Sequence, residues 1–295
     1  MKASMTAAPA PNRLLLILSF FCLYVIWGST YFAIRIGVEY WPPFMMAGLR
    51  FLTAGLVLMG VLLLTRQWAL PSLAELKGAA ILGVLMPGVG NGLVTLAEKD
   101  VSSGVAALVV ATVPLFATLF AQGFGQKARK LEWAGIALGF AGMVFLNLGA
   151  NLRASPEGAI LLLLASAGWA LGSAWSRHLK QPPGIAGSAW MMVFGGGSLL
   201  IASLLKGEAL TAMPPLEGWL AVGYLVLFGS IVAYSAYLYL LKNVSAAAAT
   251  SYAYVNPIIA VLLGVAFLGE HVGLHEMVAM AIIVTAVVLI SWKKG

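Results

Sequence analysis

Residues 242–257 read KNVSAAAATSYAYVNP, and residues 99–114 read KDVSSGVAALVVATVP. Set one above the other, the two stretches have the same length, and each begins with Lys and ends with Pro. In the same register, residues 71–147 align with residues 214–290 without a gap. The chain is therefore predicted to contain two copies of one structural unit.

The composition places both copies in a membrane. Of the 295 residues, 61% are hydrophobic and 9% are charged, against about 25% charged in a soluble domain. Apolar segments of about 20 residues, the length that crosses a bilayer, recur between short loops. We predict ten spans, at 14–35, 43–64, 74–97, 102–122, 131–148, 157–178, 184–205, 217–240, 245–267 and 275–292.

The Lys and Arg residues predict the orientation, because cytoplasmic loops are enriched in them. With residues 1–13 as a cytoplasmic tail, twelve fall inside: Lys2, Arg13, Arg66, Lys77, Lys127, Arg129, Lys130, Arg177, Lys180, Lys242, Lys293 and Lys294. Four fall outside: Arg35, Lys99, Arg153 and Lys206. Both termini are therefore expected in the cytoplasm. The net charge of +7 lies in short loops and forms no stripe, so the expected partner is the lipid bilayer and no nucleic acid.

The two copies are predicted to have opposite orientations. Residues 14–148 and 157–292 hold five spans each, and an odd number turns the second copy over. The loop at 125–132 is basic, whereas its counterpart at 268–275 has no Lys or Arg. The predicted fold is an all-α polytopic membrane protein with ten transmembrane helices in two inverted five-helix repeats.

Pro114 and Pro257 occupy matching positions near the middle of spans four and nine. Proline cannot donate a backbone hydrogen bond, so these two free the carbonyls of Val110 and Ala253. Broken helices at matching places in two halves indicate a transport site, and we predict two hinges. The alternative is a passive kink at each proline.

Polar and aromatic residues recur at helical spacing within six of the spans, which predicts a central cavity. The alternative role for such side chains is hydrogen bonding between packed helices. The predicted cavity residues are Trp27, Tyr31, Asn91, Thr95, Thr112, Trp169, Ser173, Tyr234, Tyr237, Tyr252 and Asn256.

Charged groups are scarce at depth. No Asp or Glu lies at the centre of a span, and Glu39, Glu98 and Glu270 lie near span ends. Arg50 falls within span two. It is predicted either to bind a carboxylate or a counter-ion, or to serve a structural role, paired with Glu39 or a carbonyl, or extended to the interface.

The sequence gives little support for a metal site, a cofactor site or an enzyme. His271 and His275 have i, i+4 spacing beside Glu276, but no third ligand is evident; neither a metal nor a cofactor is predicted. Cys22 is the single cysteine. No nucleophile elbow, P-loop or HExxH motif appears, so an enzyme is not expected.

Span five carries Gly135, Gly139 and Gly142. Small residues at this spacing allow close helix contact, either within the chain or in a dimer. Packing within one chain is the expectation, with a dimer as the alternative.

Several segments together resemble the drug/metabolite transporter superfamily, in its branch with two EamA domains and ten helices. They are IWGSTYFAIR (26–35), WPPFMMAGLRF (41–51), AEKDVSSGVAALVVATVPLF (97–116), WAGIALGFAGMVFL (133–146) and NVSAAAATSYAYVNPIIAVLLGVAFLGE (243–270). The resemblance implies a basket-like bundle in a bacterial inner membrane that exports amino acids or related small metabolites through a cavity between spans one, three, four, six, eight and nine. The LGE at 268–270 has no counterpart after span four, so a symmetric role for that glutamate is not implied.

The expected function is therefore secondary export of a small molecule by alternating access. Cationic drugs, polyamines or other metabolites on the same fold are the alternative cargo. A membrane enzyme is a weaker alternative, because it would need clustered catalytic residues.

Overall fold

A computed structural model describes residues 12–101, 106, 109–147, 156–256, 258–259 and 273–291. Every regular element within these ranges is helical. Residues 252–256 are also helical and follow the short ninth helix. The helices are α1 (Arg13–Tyr40), α2 (Pro43–Leu64), α3 (Leu73–Ala97), α4 (Val113–Gly123), α5 (Lys130–Asn147), α6 (Pro156–Trp175), α7 (Ile185–Leu205), α8 (Leu216–Asn243), α9 (Ala246–Ala249) and α10 (Leu274–Ser291).

Six of these helices, α1, α2, α3, α6, α7 and α8, are long and apolar enough to cross a membrane. Two shorter apolar helices are α4 and the Met277–Ile290 part of α10. The expectation of an all-helical membrane protein is confirmed for the part of the chain described. The count of ten spans and the inversion of the second half stay predictions.

The helices pair across the two halves of the chain. α2 packs along α7, α5 along α10, α1 along α8 and α3 along α6. Glycines permit the closest approaches: a Cβ added to Gly196 of α7 would lie 2.4 Å from the backbone nitrogen of Leu52, and one on Gly135 of α5 would lie 3.0 Å from the carbonyl oxygen of Ala286. The expectation that the span-five glycines pack within the chain is confirmed.

Three stretches of π-helix interrupt the long helices. They are Leu23–Trp27 in α1, Val84–Asn91 in α3 and Leu225–Val232 in α8. In the alignment of the two copies, positions 84–91 correspond to 227–234, so the segment in α3 overlaps the one in α8. Single π-helical turns are rare in proteins overall. Those that occur are often at functional sites, because they change which face of the helix a side chain occupies. Sequence periodicity did not predict them.

The fourth predicted span is broken near its proline. Residues 109–110 are helical, residues 111–112 form a turn, and α4 then begins at Val113 with Pro114 in its first turn. Proline suits that position, since the backbone donor it lacks would have no helical partner there. Pro257, the other predicted hinge, and most of the loop at 268–275 lie outside the described residues.

The N-terminal end of α2 is fixed by a carboxylate from elsewhere in the chain. α2 begins at Pro43, and its first turn leaves backbone N–H groups without helical partners. Glu208, just beyond α7, accepts hydrogen bonds from the nitrogens of Phe44 at 3.3 Å and Met45 at 2.9 Å. A carboxylate at a helix N-terminus is also stabilised by the helix dipole. This contact holds α2, which carries Arg50, against α7.

Candidate functional site

A cavity lies between α1, α3, α4, α6 and the helical residues 252–256, with one side chain from α2. The cavity volume is about 60 Å³. Its lining residues are Trp27, Thr30, Tyr31, Ile34, Arg50, Gly90, Asn91, Val94, Val110, Val113, Ala165, Ser166, Trp169, Tyr252 and Asn256. Six of the eleven residues predicted from the sequence are among them: Trp27, Tyr31, Asn91, Trp169, Tyr252 and Asn256.

Aromatic rings form one wall. Trp27 contacts Trp169 edge to face, with ring centroids 5.4 Å apart, and contacts Tyr252 in the same manner at 4.6 Å. Tyr237 approaches Trp27 at 5.1 Å. Such pairs contribute about 0.5–1.5 kcal/mol each beyond the area they bury. The contacts tie α1, α6, α8 and the segment after α9 together at one point.

The polar atoms of Trp27, Trp169 and Tyr237 have partners within the protein. Trp27 Nε1 donates to the carbonyl oxygen of Gly229 at 2.9 Å. Trp169 Nε1 donates to the Tyr237 hydroxyl at 3.1 Å, and that hydroxyl lies 2.6 Å from Ser173 Oγ. The indole N–H groups are therefore engaged in the wall.

The other five predicted residues do not line this cavity. Thr95 Oγ1 donates to the Asn91 carbonyl at 2.9 Å, and Thr112 Oγ1 donates to the carbonyl three residues before it at 2.6 Å. Tyr234 is fully buried, and its hydroxyl has no hydrogen-bond partner among the described residues. Ser173 and Tyr237 belong to the network just described. A role for these five in transport stays a prediction.

The helices α1 and α6 run in opposite directions along α8. Going along α1, Trp27 contacts Gly229 and Ser29 contacts Tyr224, toward the start of α8. Going along α6, Trp169 contacts Tyr237 and Arg177 beyond its end contacts Leu241, toward the end of α8.

Arg50 was the lining residue whose role the sequence left open. It is 2% exposed, Nε donates to Ser230 Oγ at 2.8 Å, and Nη1 donates to Asn91 Oδ1 at 3.4 Å. Its guanidinium carbon lies 4.7 Å from the ring centroid of Phe51. No carboxylate of a described residue comes within 4.0 Å of it. The cavity thus holds a buried cation whose partners inside the described chain are neutral.

Two other lining side chains carry unpaired polar atoms. Asn256 is 2% exposed and Ser166 is 1% exposed. Neither Asn256 Oδ1 nor Ser166 Oγ has a hydrogen-bond partner among the described residues; the Tyr31 side chain lies near Asn256 but leaves its Oδ1 unpaired. Leaving such a group without a partner costs about 1–3 kcal/mol. Both atoms are buried beside the cavity without a hydrogen-bond partner among the described residues.

Glu98 lies just beyond the end of α3 and is fully buried. Neither carboxyl oxygen has a partner in the described part of the chain. Burial raises the pKa of this carboxyl well above its usual range, and the positive charges of Arg35 and Arg50 oppose that rise. The sequence placed Glu98 at a span end but gave no sign of its burial, because the covering groups come from distant parts of the chain.

Two arginines at matching positions bind matching helix ends. Arg35 Nη1 donates to the Glu98 carbonyl at 2.9 Å, at the end of α3. Arg177 Nε donates to the Leu241 carbonyl at 2.7 Å near the end of α8, and its Nη2 contacts the carbonyl of Val244. Glu98 and Leu241 occupy the same position in the alignment of the two copies. Arginine satisfies the free carbonyls of a helix C-terminus, so each of these contacts closes one helix end onto its neighbour.

Of the two histidines considered as metal ligands, His275 is described and His271 lies outside the described residues. His275 Nε2 is 2.9 Å from the Phe145 carbonyl oxygen, and the two rings are 4.2 Å apart between centroids. Within the described chain no three His, Cys, Asp or Glu residues cluster as metal ligands.

Comparison with known proteins gives consistent matches. A model of the EamA-like transporter family matches residues 14–148 and again residues 156–292. The chain is 56% identical over 275 residues to the uncharacterized inner membrane transporter YedA of Escherichia coli (strain K12), covering 93% of this chain and 90% of that one. It is 27% identical to the uncharacterized transporter YdfC of Bacillus subtilis (strain 168), covering 83% and 80%. A solved crystal structure superposes with a TM-score of 0.78 at 22% identity, covering 95% of this chain and 98% of the other.

Proposed function

This chain belongs to the EamA-like transporter family, and we propose that it exports amino acids or related small metabolites from the cytoplasm by alternating access. The substrate site is the cavity on the Trp27–Trp169 wall. Its proposed contacts are the six residues named from the sequence that line it: Trp27, Tyr31, Asn91, Trp169, Tyr252 and Asn256. Pro114 and Pro257 are the proposed hinges.

The observation that carries the proposal is the set of unpaired polar atoms in an aromatic-lined cavity. Asn256 Oδ1 and Ser166 Oγ are buried there without partners among the described residues. Ligand sites combine apolar walls with a few placed polar groups in this way. A substrate that loses water on entry regains hydrogen bonds from these atoms.

Alternating access is supported by the relationship between the halves. Arg35 and Arg177 bind equivalent helix ends, and α1 and α6 run in opposite directions along α8. Inverted repeats give a transporter two similar gates on opposite sides of one site. In the proposed cycle, one arginine contact opens while the other stays closed.

The charge of the cavity favours an amino acid over a cation as cargo. The charged residue among its lining side chains is Arg50, and these include no Asp or Glu. A buried guanidinium repels a cationic drug or a polyamine, whereas a zwitterion brings a carboxylate to it.

The proposed location is a bacterial inner membrane, with both termini in the cytoplasm. The similar protein YedA is named an inner membrane transporter, which supports the proposed membrane. The excess of Lys and Arg on one side of the predicted spans supports the orientation.

Transport by the purified protein in liposomes tests the proposal. The twenty labelled L-amino acids are screened in parallel with spermidine and tetraphenylphosphonium, with and without a pH gradient. We expect saturable uptake of at least one amino acid. Uptake of the two cations alone would contradict the proposed cargo class.

A Pro114→Ala variant tests the hinge in the same assay. We expect slower exchange of labelled substrate with its affinity largely kept, because the altered hinge limits movement rather than binding. An exchange rate equal to that of the unaltered protein would contradict a hinge at Pro114.

A further inference from the structure

We propose that the Arg50 guanidinium is the group that binds the carboxylate of the cargo, so that a free carboxylate is the feature by which this transporter selects its substrate. This inference rests on the proposed function of the cavity and specifies its ligand class. It concerns a side chain that sequence periodicity left undecided between a binding and a structural role.

Arg50 has N–H donors that no described residue accepts. A guanidinium has five N–H donors in a fixed fork. The Arg50 contacts place Nε–H on Ser230 Oγ at 2.8 Å and one Nη1–H on Asn91 Oδ1 at the long distance of 3.4 Å. No described residue accepts from Nη2. The side of the fork that carries both Nη atoms therefore retains donors that suit the two oxygens of one carboxylate.

The buried positive charge of Arg50 is costly to desolvate. A buried cation needs an opposite charge or a full set of hydrogen bonds to offset its desolvation. Arg50 has neither from the part of the chain described, although it is 2% exposed. The charge of Glu98 acts on Arg50, but the two do not come within 4.0 Å. A substrate carboxylate supplies the missing partner when it enters the cavity.

Two π-helical segments position the Arg50 guanidinium. Its two acceptors come from the π-helical segments, Asn91 from Val84–Asn91 and Ser230 from Leu225–Val232. Such segments turn side chains away from the face that regular helix geometry would give. The two irregular stretches, one from each half of the chain, thus converge on one cation at the cavity wall.

Gly229 leaves space beside the Arg50 guanidinium. A Cβ built on Gly229 would lie 2.9 Å from Arg50 Nη2 and 3.0 Å from Thr30 Cγ2. Any larger residue at this position would push the guanidinium out of its place. Glycine therefore keeps room for the free end of the fork.

The other end of an amino acid also has a partner. Asn256 Oδ1 is an unpaired acceptor on the same cavity wall, and an ammonium group is a strong donor. The rings of Trp27 and Trp169 add faces that attract a cation. Arg50 and Asn256 together fit a zwitterion, in which the carboxylate and the ammonium are separate groups.

The test compares ligands that differ only at the carboxylate, in liposomes containing the unaltered protein. The labelled amino acid that shows the greatest uptake is competed with its unlabelled form, with its amide and with the amine left by removing the carboxylate. We expect the amide and the amine to compete about tenfold more weakly or worse, since a charge-assisted hydrogen bond is lost. Equal competition by the amide would overturn the inference and leave the proposed function standing. Uptake of spermidine or tetraphenylphosphonium without any amino acid would overturn both.

Variants locate the effect at Arg50. Arg50→Gln is expected to lose the preference for acid over amide, and Arg50→Lys is expected to keep the preference with weaker binding, because a point charge replaces the fork. Ser230→Ala is the matched control, which loosens the fork but leaves its charge. An Arg50→Gln protein that still prefers the acid by about tenfold would overturn the inference. If that variant does not fold, the comparison of ligands with the unaltered protein decides by itself.

Discussion

Trp27 and Trp169 meet edge to face with their ring centroids 5.4 Å apart. They occupy equivalent positions in α1 and α6, because they pair when the starts of the two sequence copies are aligned. Two segments far apart in the chain therefore supply the same residue type to one wall of one cavity. The contact joins the two halves of the chain at this wall.

Replacing Trp27 with Leu is expected to affect both stability and transport. The change removes ring contacts to Trp169, Tyr237 and Tyr252 and the hydrogen bond to Gly229. We expect the free energy of unfolding to fall by about 3 kcal/mol and uptake per folded molecule to fall severalfold. Thermal unfolding in detergent and uptake in liposomes measure the two effects.

The control for this variant is Trp41→Leu. Trp41 is also buried, pairs with Trp219 at 4.7 Å and does not line the cavity. It should lose stability but keep uptake once the amount of folded protein is corrected for. Similar losses of uptake in both variants would show that the Trp27 effect reflects folding alone.

Arg35→Gln and Arg177→Gln are expected to shift access to the cavity in opposite directions. Each removes one contact between a guanidinium and a helix end, and the predicted topology puts Arg35 outside and Arg177 inside. A cysteine at Ser166, in a Cys22→Ala background, reports access when intact cells are treated with an impermeant thiol reagent. Labelling should rise with Arg35→Gln and fall with Arg177→Gln. A change in the same direction for both would contradict their role as opposing gates.

Glu98→Gln is expected to retain most of the facilitated flux. Burial raises the pKa of Glu98, which favours the neutral carboxyl, and glutamine resembles that form in shape and charge. Glu39→Gln, at an exposed position, is the control. Flux in liposomes without a pH gradient is the measurement. Complete loss in a folded Glu98→Gln protein would identify this carboxyl as an obligatory proton carrier.

The inverted arrangement is tested by labelling two loops. Single cysteines at Lys127 and His271, in a Cys22→Ala background, belong to loops that match in sequence but are predicted on opposite sides of the membrane. An impermeant thiol reagent applied to intact cells should label the cysteine at position 271 and spare the one at 127. Equal labelling would rule out two inverted repeats.

Spacing along the sequence found much of the cavity because most of its walls are regular helix. Trp27 and Tyr31 share a face at i, i+4, as do Tyr252 and Asn256, and all four line the cavity. The prediction went less far in α8. In α8 the π-helical segment Leu225–Val232 has more residues per turn than an α-helix, and this rotates the side chains that follow it. Tyr234 and Tyr237, predicted to line the cavity, are buried in the protein instead.

The roles of Arg50 and Glu98 could not be predicted from the sequence for a different reason. A single arginine in an apolar span has the same sequence pattern whether it binds a substrate or pins two helices. The acceptors at Asn91 and Ser230 decide where it points, and they come from helices far from α2 along the chain. Burial of Glu98 likewise depends on groups from other helices. Such properties come from tertiary contacts and leave no local signature.

The central claim is that unpaired polar atoms in the cavity bind the cargo, and the most direct test compares Asn256→Leu with Tyr234→Phe. Both changes remove a buried polar atom that has no partner among the described residues, so both should leave the free energy of unfolding unchanged or raise it. Of these two residues, only Asn256 lines the cavity. Amino-acid uptake in liposomes should fall about tenfold or more with Asn256→Leu and stay near its original rate with Tyr234→Phe. Normal uptake by a folded Asn256→Leu protein would contradict the claim.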